Sequence, residues 1–259
     1  MFIYSINRLA KKVFRFFGFK TNRTDYSLDH LDPLDPKFRN ALISMYKGEQ
    51  QLGIDGKLHQ LDGTRIAPRE GMWLYNLCLS QKPESILEIG LAYGFSTLYI
   101  LAAIEKNRVG HHTAIDPLQS SHWHGIGLTH AKLLSPVNTA DISFRFIEDF
   151  SVNTATDLRR SNSSFDLIFI DGGHRFDDVL VDFCLYSHLC AMNGLIILDD
   201  KWLSSIKTVA AFIRKNRDDF VELKVDLPNV FVFKKTGVDS RSWQHFRSFH
   251  VSSSTYDDD

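Results

Sequence analysis

From residue 83 onward the chain alternates between short, continuous apolar runs and longer stretches whose apolar positions recur at helical spacing. The apolar runs fall at 85–89, 113–115, 142–147, 165–170 and 195–198. The helical stretches fall at 96–106, 126–134, 152–160, 177–190 and 201–216. Strands that are apolar throughout and separated by amphipathic helices predict a parallel sheet covered on both faces. Right-handed crossovers make such a sheet doubly wound, with ligands held at the C-terminal strand ends. Two last runs, 220–225 and 230–234, are separated only by Asp226-Leu-Pro-Asn229. That is too short for a crossover helix, so the pair is predicted to be an antiparallel hairpin. The expected fold is α/β: a doubly wound, mostly parallel seven-stranded sheet that ends in a hairpin, with N-terminal helical cover.

The flanks differ from this core. Residues 1–24 carry Arg8, Lys11, Lys12, Arg15, Lys20 and Arg23 with no acid before Asp25, interleaved with Phe2, Ile3, Ile6, Leu9, Val13, Phe14, Phe16 and Phe17. The segment lacks the uninterrupted apolar stretch and small-residue cleavage site of a signal peptide. It predicts a basic amphipathic helix with two uses left open: resting on an anionic membrane surface or a partner, or packing on its own domain or a second subunit of a homo-oligomer. The second is favoured, because surface helices commonly have this pattern. Residues 25–82 are expected to form helical cover over the site, with a helix at 68–79. The main domain runs over 83–236, and 237–259 is an extension ending in the acidic tail Ser252–Asp259.

Composition narrows the function classes. With 259 residues, 44% hydrophobic and 24% charged, the chain has material for a large core and is not a disordered one. Thirty Lys+Arg against 31 Asp+Glu leave a net charge of −1, without the basic excess that nucleic-acid phosphates demand. Cys78, Cys184 and Cys190 are too few for a disulfide framework, and the last two fall in an apolar helical stretch. Buried thiols in a reducing compartment, the cytoplasm, are expected. No apolar run reaches the roughly 18–20 residues of a spanning helix.

The first strand run leads into Ile86-Leu-Glu-Ile-Gly-Leu-Ala-Tyr-Gly-Phe-Ser-Thr97. Glu88 stands at the strand end, Gly90 and Gly94 in the turn, and Ser96 at the start of a helix. Glycines let a ligand approach the backbone, and the helix N-terminus offers N–H groups to an anion. The spacing is G-x-x-x-G, so it fits a pyrophosphate cradle less well than G-x-G-x-x-G does, and a plain βα turn would read the same way. Asp116 ends the next strand run, where an acid can bind ribose hydroxyls. Together these favour an adenosine-type cofactor.

Asp171 ends the fourth run with His174 three residues on, and Asp199 and Asp200 end the fifth. Neighbouring parallel strands lie about 4.8 Å apart, so these carboxylates can converge. Asp171, Asp199 and Asp200 suit Mg²⁺, which keeps positions for water or substrate oxygens. Helix capping is the competing reading, with Asp200 before the 201–216 helix and Asp177 and Asp178 opening another.

Glu88-Ile-Gly-x-x-x-Gly-Phe-Ser-Thr resembles the first motif of class I S-adenosylmethionine-dependent methyltransferases, particularly the catechol and caffeoyl-CoA type O-methyltransferases. The terminal hairpin fits their seven-stranded sheet. The resemblance implies that Gly90 and Gly94 border the methionine part of the cofactor and that Ser96 meets its carboxylate. It further implies that Glu88 contacts the amino end or orders the loop, that Asp116 holds the ribose, and that Asp149 and Ser151 lie near the adenine. The three aspartates match the metal pattern of the catechol type, whose fifth strand ends Asp-Asn rather than Asp-Asp. The Asp-x-x-His arrangement is similar to bacterial sugar O-methyltransferases of the macrolide and cephamycin type. That likeness implies His174 as general base beside Asp171; the other reading is a histidine that orients Asp171.

The loop after Asp116 carries His122, Trp123 and His124, expected to line the acceptor pocket or cover the adenine. Trp202, His59 and Arg65 are further acceptor-side candidates, and His111 and His112 are expected to begin a strand in solvent. A zinc site at the paired histidines lacks cysteines and regular helical spacing. The resulting expectation is a cytoplasmic methyltransferase, Mg²⁺-assisted, acting on a hydroxyl of a small sugar, glycan unit or other diol. A non-catalytic binding module of the same fold and a nucleotide-cofactor oxidoreductase stand as alternatives. The three clustered acids count against the first, the missing third glycine and the hairpin against the second.

Overall fold

Five strands run parallel: β3 (Ser85–Ile89), β4 (Gly110–Ile115), β5 (Ile142–Ile147), β6 (Phe165–Ile170) and β7 (Cys190–Leu198). They belong to a seven-stranded sheet of order β5-β4-β3-β6-β7-β9-β8, closed by the antiparallel pair β8 (Phe220–Leu223) and β9 (Phe231–Lys235). This computed structural model describes residues 27–135, 139–227 and 229–251. The amphipathic segment at 1–24 and the tail at 252–259 lie outside them.

Strand periodicity splits the core into two layers. Along β3, Ile86 packs beneath α2 (Pro68–Gln81) and α3 (Phe95–Asn107), while Leu87 and Ile89 face the opposite layer. That second layer holds residues of α5 (Ser151–Arg160), α6 (Phe176–Tyr186) and α7 (Ser204–Asn216). The cover is α1 (Pro36–Tyr46), α2 and a small antiparallel ribbon of β1 (Gln51–Leu52) and β2 (Leu58–His59), so it is not wholly helical as expected. The remaining helix, α4 (Ile126–Leu134), follows the Asp116 loop.

Three expectations need correction. The helix predicted over 177–190 stops at Tyr186, and Cys190 opens β7. Lys235 Nζ donates to the carbonyls of Ser187 (3.0 Å) and Cys190 (2.8 Å), so a β9 side chain anchors the turn. The helix predicted from 201 begins at Ser204, with Leu203 at its N-cap position and no side-chain cap. Asp200 is therefore not a helix cap. His112 lies in the core, not in solvent: it is 1% exposed, edge-on to Phe144, while its neighbour His111 is exposed. Alternation along β4, which starts three residues earlier than predicted, turns His112 inward.

β3 sits between β4 and β6, so the chain winds outward from it in both directions. The crevice at that reversal, beyond the C-terminal strand ends, is where an open α/β sheet binds its ligands.

Candidate active site

The turn after β3 is shaped by glycines that nothing larger could replace. Gly90 has φ of +97°, and a Cβ there would sit 2.0 Å from the Asp171 carbonyl oxygen. Gly94, at the N-cap of α3, has φ of +86° and abuts the Gly127 backbone. The first intrahelical bond of α3 runs from Leu98 N–H to the Gly94 carbonyl. The N–H groups of the first turn thus face the crevice end of the sheet, available to an anion.

Beneath the turn, Glu88 is fully buried and accepts from the hydroxyls of Ser96 and Thr97. Ser96 thus spends its hydroxyl on Glu88. His112 Nε2 lies 3.1 Å from Glu88 Oε2 without meeting the geometry of a hydrogen bond.

Asp116 serves as a clamp. Its Oδ2 accepts from the N–H groups of Leu91 (3.1 Å) and Ala92 (2.7 Å), and its Oδ1 from that of Leu118 (2.8 Å). Gln119, which the sequence reading missed, is fully buried; its amide donates to the Ala92 carbonyl and to Asp116 and accepts from Leu128 N–H. The glycine turn, the strand-end acid and α4 are thereby locked to one another.

Toward the next strand, Glu148 accepts from Ser120 N–H and hydroxyl. Asp149 accepts from Asn153, and Ser151 donates to Asp182 at 2.5 Å. Burial pushes the Asp182 carboxyl up to about 6, with the Ser151 hydroxyl acting against it. Because its folded-state value exceeds the ordinary one, Asp182 contributes stability that is complete in acid and is lost as pH rises through about 6. Asp182→Asn is expected to flatten this fall. Its gain over the parent should grow between pH 4 and 7 to about 2 kcal/mol in urea unfolding. A gain independent of pH would refute the assignment.

The acid cluster forms at the ends of β6 and β7. Ligand atoms of Asp171, His174 and Asp200 all lie within 4.8 Å of one another. His174 Nε2 is 2.8 Å from Asp200 Oδ2 and 3.6 Å from Asp171 Oδ1. Asp199 is not a member of that tightest group but stands beside it, close enough for Asp171 and Asp200 to act on its carboxyl. Successive side chains at a strand end diverge, and Asp200, with φ of +54°, turns back over β6 while Asp199 points toward the cover. Asp199 accepts from Asn229, in the connection between β8 and β9, at 3.2 Å.

Electrostatics bind the group together. Asp171 foremost, then Asp200, push the His174 imidazole up to about 10. Burial pushes Asp171 up to about 7, aided by repulsion from Asp200 and Glu70. Burial and the charges of Asp171, Glu70 and Asp200 hold Asp199 well above the carboxylate range. Asp200 is drawn down despite its burial, because His174 and the Trp202 indole N–H donate to it. Buried oxygen donors whose negative charges oppose one another are the donor set a hard divalent cation would satisfy. The open glycine turn beside Asp171 likewise fits the cofactor expected from the sequence.

The acceptor-side candidates divide into two groups. His124 stacks on His59 at 4.0 Å, Trp123 meets Tyr93 and His122 edge-on, and His124 carbonyl accepts from Ile54 N–H. The loop after Asp116 is therefore pinned to the β1–β2 ribbon. Trp202 stands at the acid cluster. Arg65 donates to the Tyr46 carbonyl in the cover.

The fold, a mostly parallel seven-stranded sheet closed by an antiparallel hairpin, is one seen in solved methyltransferase structures. Residues 87–201 match the family described as a methyltransferase domain. Solved structures of the same fold include an SAH-bound methyltransferase from Podospora anserina, 16% identical with a TM-score of 0.61 over 85% of this chain and 98% of that one. An O-methyltransferase from Bacillus cereus in complex with SAH is 17% identical, with a TM-score of 0.62 over 83% and 97%. The O-methyltransferase TomG from Streptomyces achromogenes, involved in tomaymycin synthesis and solved with SAM, is 15% identical, with a TM-score of 0.57 over 78% and 91%. No curated protein matches the chain. Among the described residues no helix is long and apolar enough to cross a membrane.

Proposed function

We propose that this chain is a cytoplasmic, S-adenosylmethionine-dependent O-methyltransferase that uses Mg²⁺ to methylate a hydroxyl of a small acceptor, a sugar, glycan unit or other diol. The observation that carries the reading is the contact between its two halves. Gly90 packs directly against the Asp171 backbone, so a methyl donor in the glycine turn would lie beside the acid cluster. The SAM and SAH bound by the structural neighbours support the cofactor assignment.

In this reading Gly90, Gly94 and the first turn of α3 take the methionine end, with Ser96 N–H toward its carboxylate. Glu88 and Asp116 hold the turn in shape, and Asp116 also borders the ribose. Asp149 and Ser151 lie on the adenine side. Asp171, Asp199 and Asp200 would hold the cation, whose chemistry when bound is Lewis-acid activation of the acceptor hydroxyl. His174 Nε2 takes the hydroxyl proton once Asp171 and Asp200 no longer engage it, and the alcohol oxygen attacks the methyl carbon in line, forming the O–C bond as the C–S bond breaks and the thioether leaves. His122, Trp123, His124 and Trp202 border the acceptor.

The test is calorimetric titration with S-adenosylhomocysteine, followed by methyl transfer to a panel of sugars and diols with and without chelator. Expected are a dissociation constant near the micromolar range, about −8 kcal/mol, and activity that chelation removes and Mg²⁺ restores. Absence of binding sinks the cofactor assignment; activity untouched by exhaustive chelation sinks the metal.

A further inference from the structure

Glu70 is a fourth carboxylate at the acid cluster, contributed by the cover and not by the sheet. It stands in the first turn of α2, only 7% exposed. Its Oε2 accepts weakly from Ala67 N–H at 3.4 Å, across the turn. Its Oε1 is buried and has no hydrogen-bond partner among the described residues, although Asp199 and Asn229 are close enough to act on it. Asp199, 3% exposed, spends one oxygen on Asn229 and faces Glu70 with Asp171 and Asp200 behind it. A buried carboxylate oxygen without a donor is costly, and one that faces further carboxylates doubly so, unless a cation completes it. An oxygen set of this kind is that of a hard divalent cation.

We infer that Glu70 belongs to the cation site, its free Oε1 closing from the cover the site that Asp171, Asp199 and Asp200 form from the sheet. The inference rests on the metal reading proposed above. Its consequence is mechanical: cation binding ties α2, and with it the cover over the crevice, to the strand ends that carry the chemistry.

The experiment compares Glu70→Gln and Glu70→Asp with the parent protein by calorimetry with Mg²⁺ alone, by calorimetry with S-adenosylhomocysteine, and by thermal unfolding with and without Mg²⁺. Glu70→Gln keeps the shape and removes one opposed charge. It should weaken Mg²⁺ binding by roughly tenfold or more, raise the melting temperature of the metal-free protein, and lose most of the stabilisation that Mg²⁺ gives the parent. Glu70→Asp should retain the charge and part of the affinity. A merely structural Glu70 would instead lower the metal-free melting temperature and leave Mg²⁺ affinity intact, which overturns the proposal. So does a variant in which only S-adenosylhomocysteine binding weakens, since Glu70 would then be meeting a cofactor amine. If the parent binds S-adenosylhomocysteine but no Mg²⁺, the metal reading falls and this inference with it.

Discussion

Gly90→Ala is expected to abolish cofactor binding. The added methyl would lie 2.0 Å from the Asp171 carbonyl oxygen, and that oxygen belongs to backbone that cannot rotate away. The φ of +97° adds strain for any residue with a Cβ. Relief requires the turn to part from the end of β6, which displaces both the methionine pocket and Asp171. S-adenosylhomocysteine affinity should fall by about two orders of magnitude or more, equivalent to ~3 kcal/mol. The buried layers of the sheet lie below the turn, so far-UV circular dichroism should be retained. Micromolar binding by the folded variant would show that the cofactor does not enter through this turn.

His174→Ala is expected to have the second large effect, on turnover rather than binding. The imidazole is held between Asp171 and Asp200 and, once they no longer engage it, is placed to take the acceptor proton. Removing it should lower kcat by about 10²–10⁴, the usual contribution of a general base, with S-adenosylhomocysteine affinity little changed. A loss below tenfold would refute the base assignment and leave His174 as a side chain that orients the two carboxylates. Because those carboxylates lose their bridging partner, metal-free stability should also fall, and added Mg²⁺ should restore part of it.

The parts of the fold legible in the sequence are those fixed by local patterns. The runs at 85–89, 142–147 and 165–170 coincide with β3, β5 and β6; β3 and β6 are mostly buried and so mostly apolar, while β5, at the sheet edge, is half-buried. The closing hairpin followed from a connection too short to cross the sheet. At the site, the glycines, Asp171, His174 and Asp200 stand in motifs at strand ends and were visible for that reason. What escaped depends on contacts between distant segments. Glu70 reads as an ordinary first-turn acid of a helix until the cover is laid over β7. Gln119 carries no motif, and its role appears only when Ala92, Asp116 and Leu128 surround it. The early end of α6 escaped because the anchoring Lys235 comes from another strand. The different courses of Asp199 and Asp200 hang on one left-handed residue, which composition at that position does not announce.

The strand order carries a last consequence, for the way the molecule is completed. β9 lies between β7 and β8, so β8 emerges from the ribosome before the strand it must pair with exists. Until β9 inserts, β7 has a bare edge directly below Asp199 and Asp200, and Asn229, which binds Asp199, has yet to be placed. Vectorial synthesis therefore finishes the acidic end of the crevice last. A nascent chain halted before Phe231 would hold the glycine turn and the five parallel strands, but with the β7 edge unpaired.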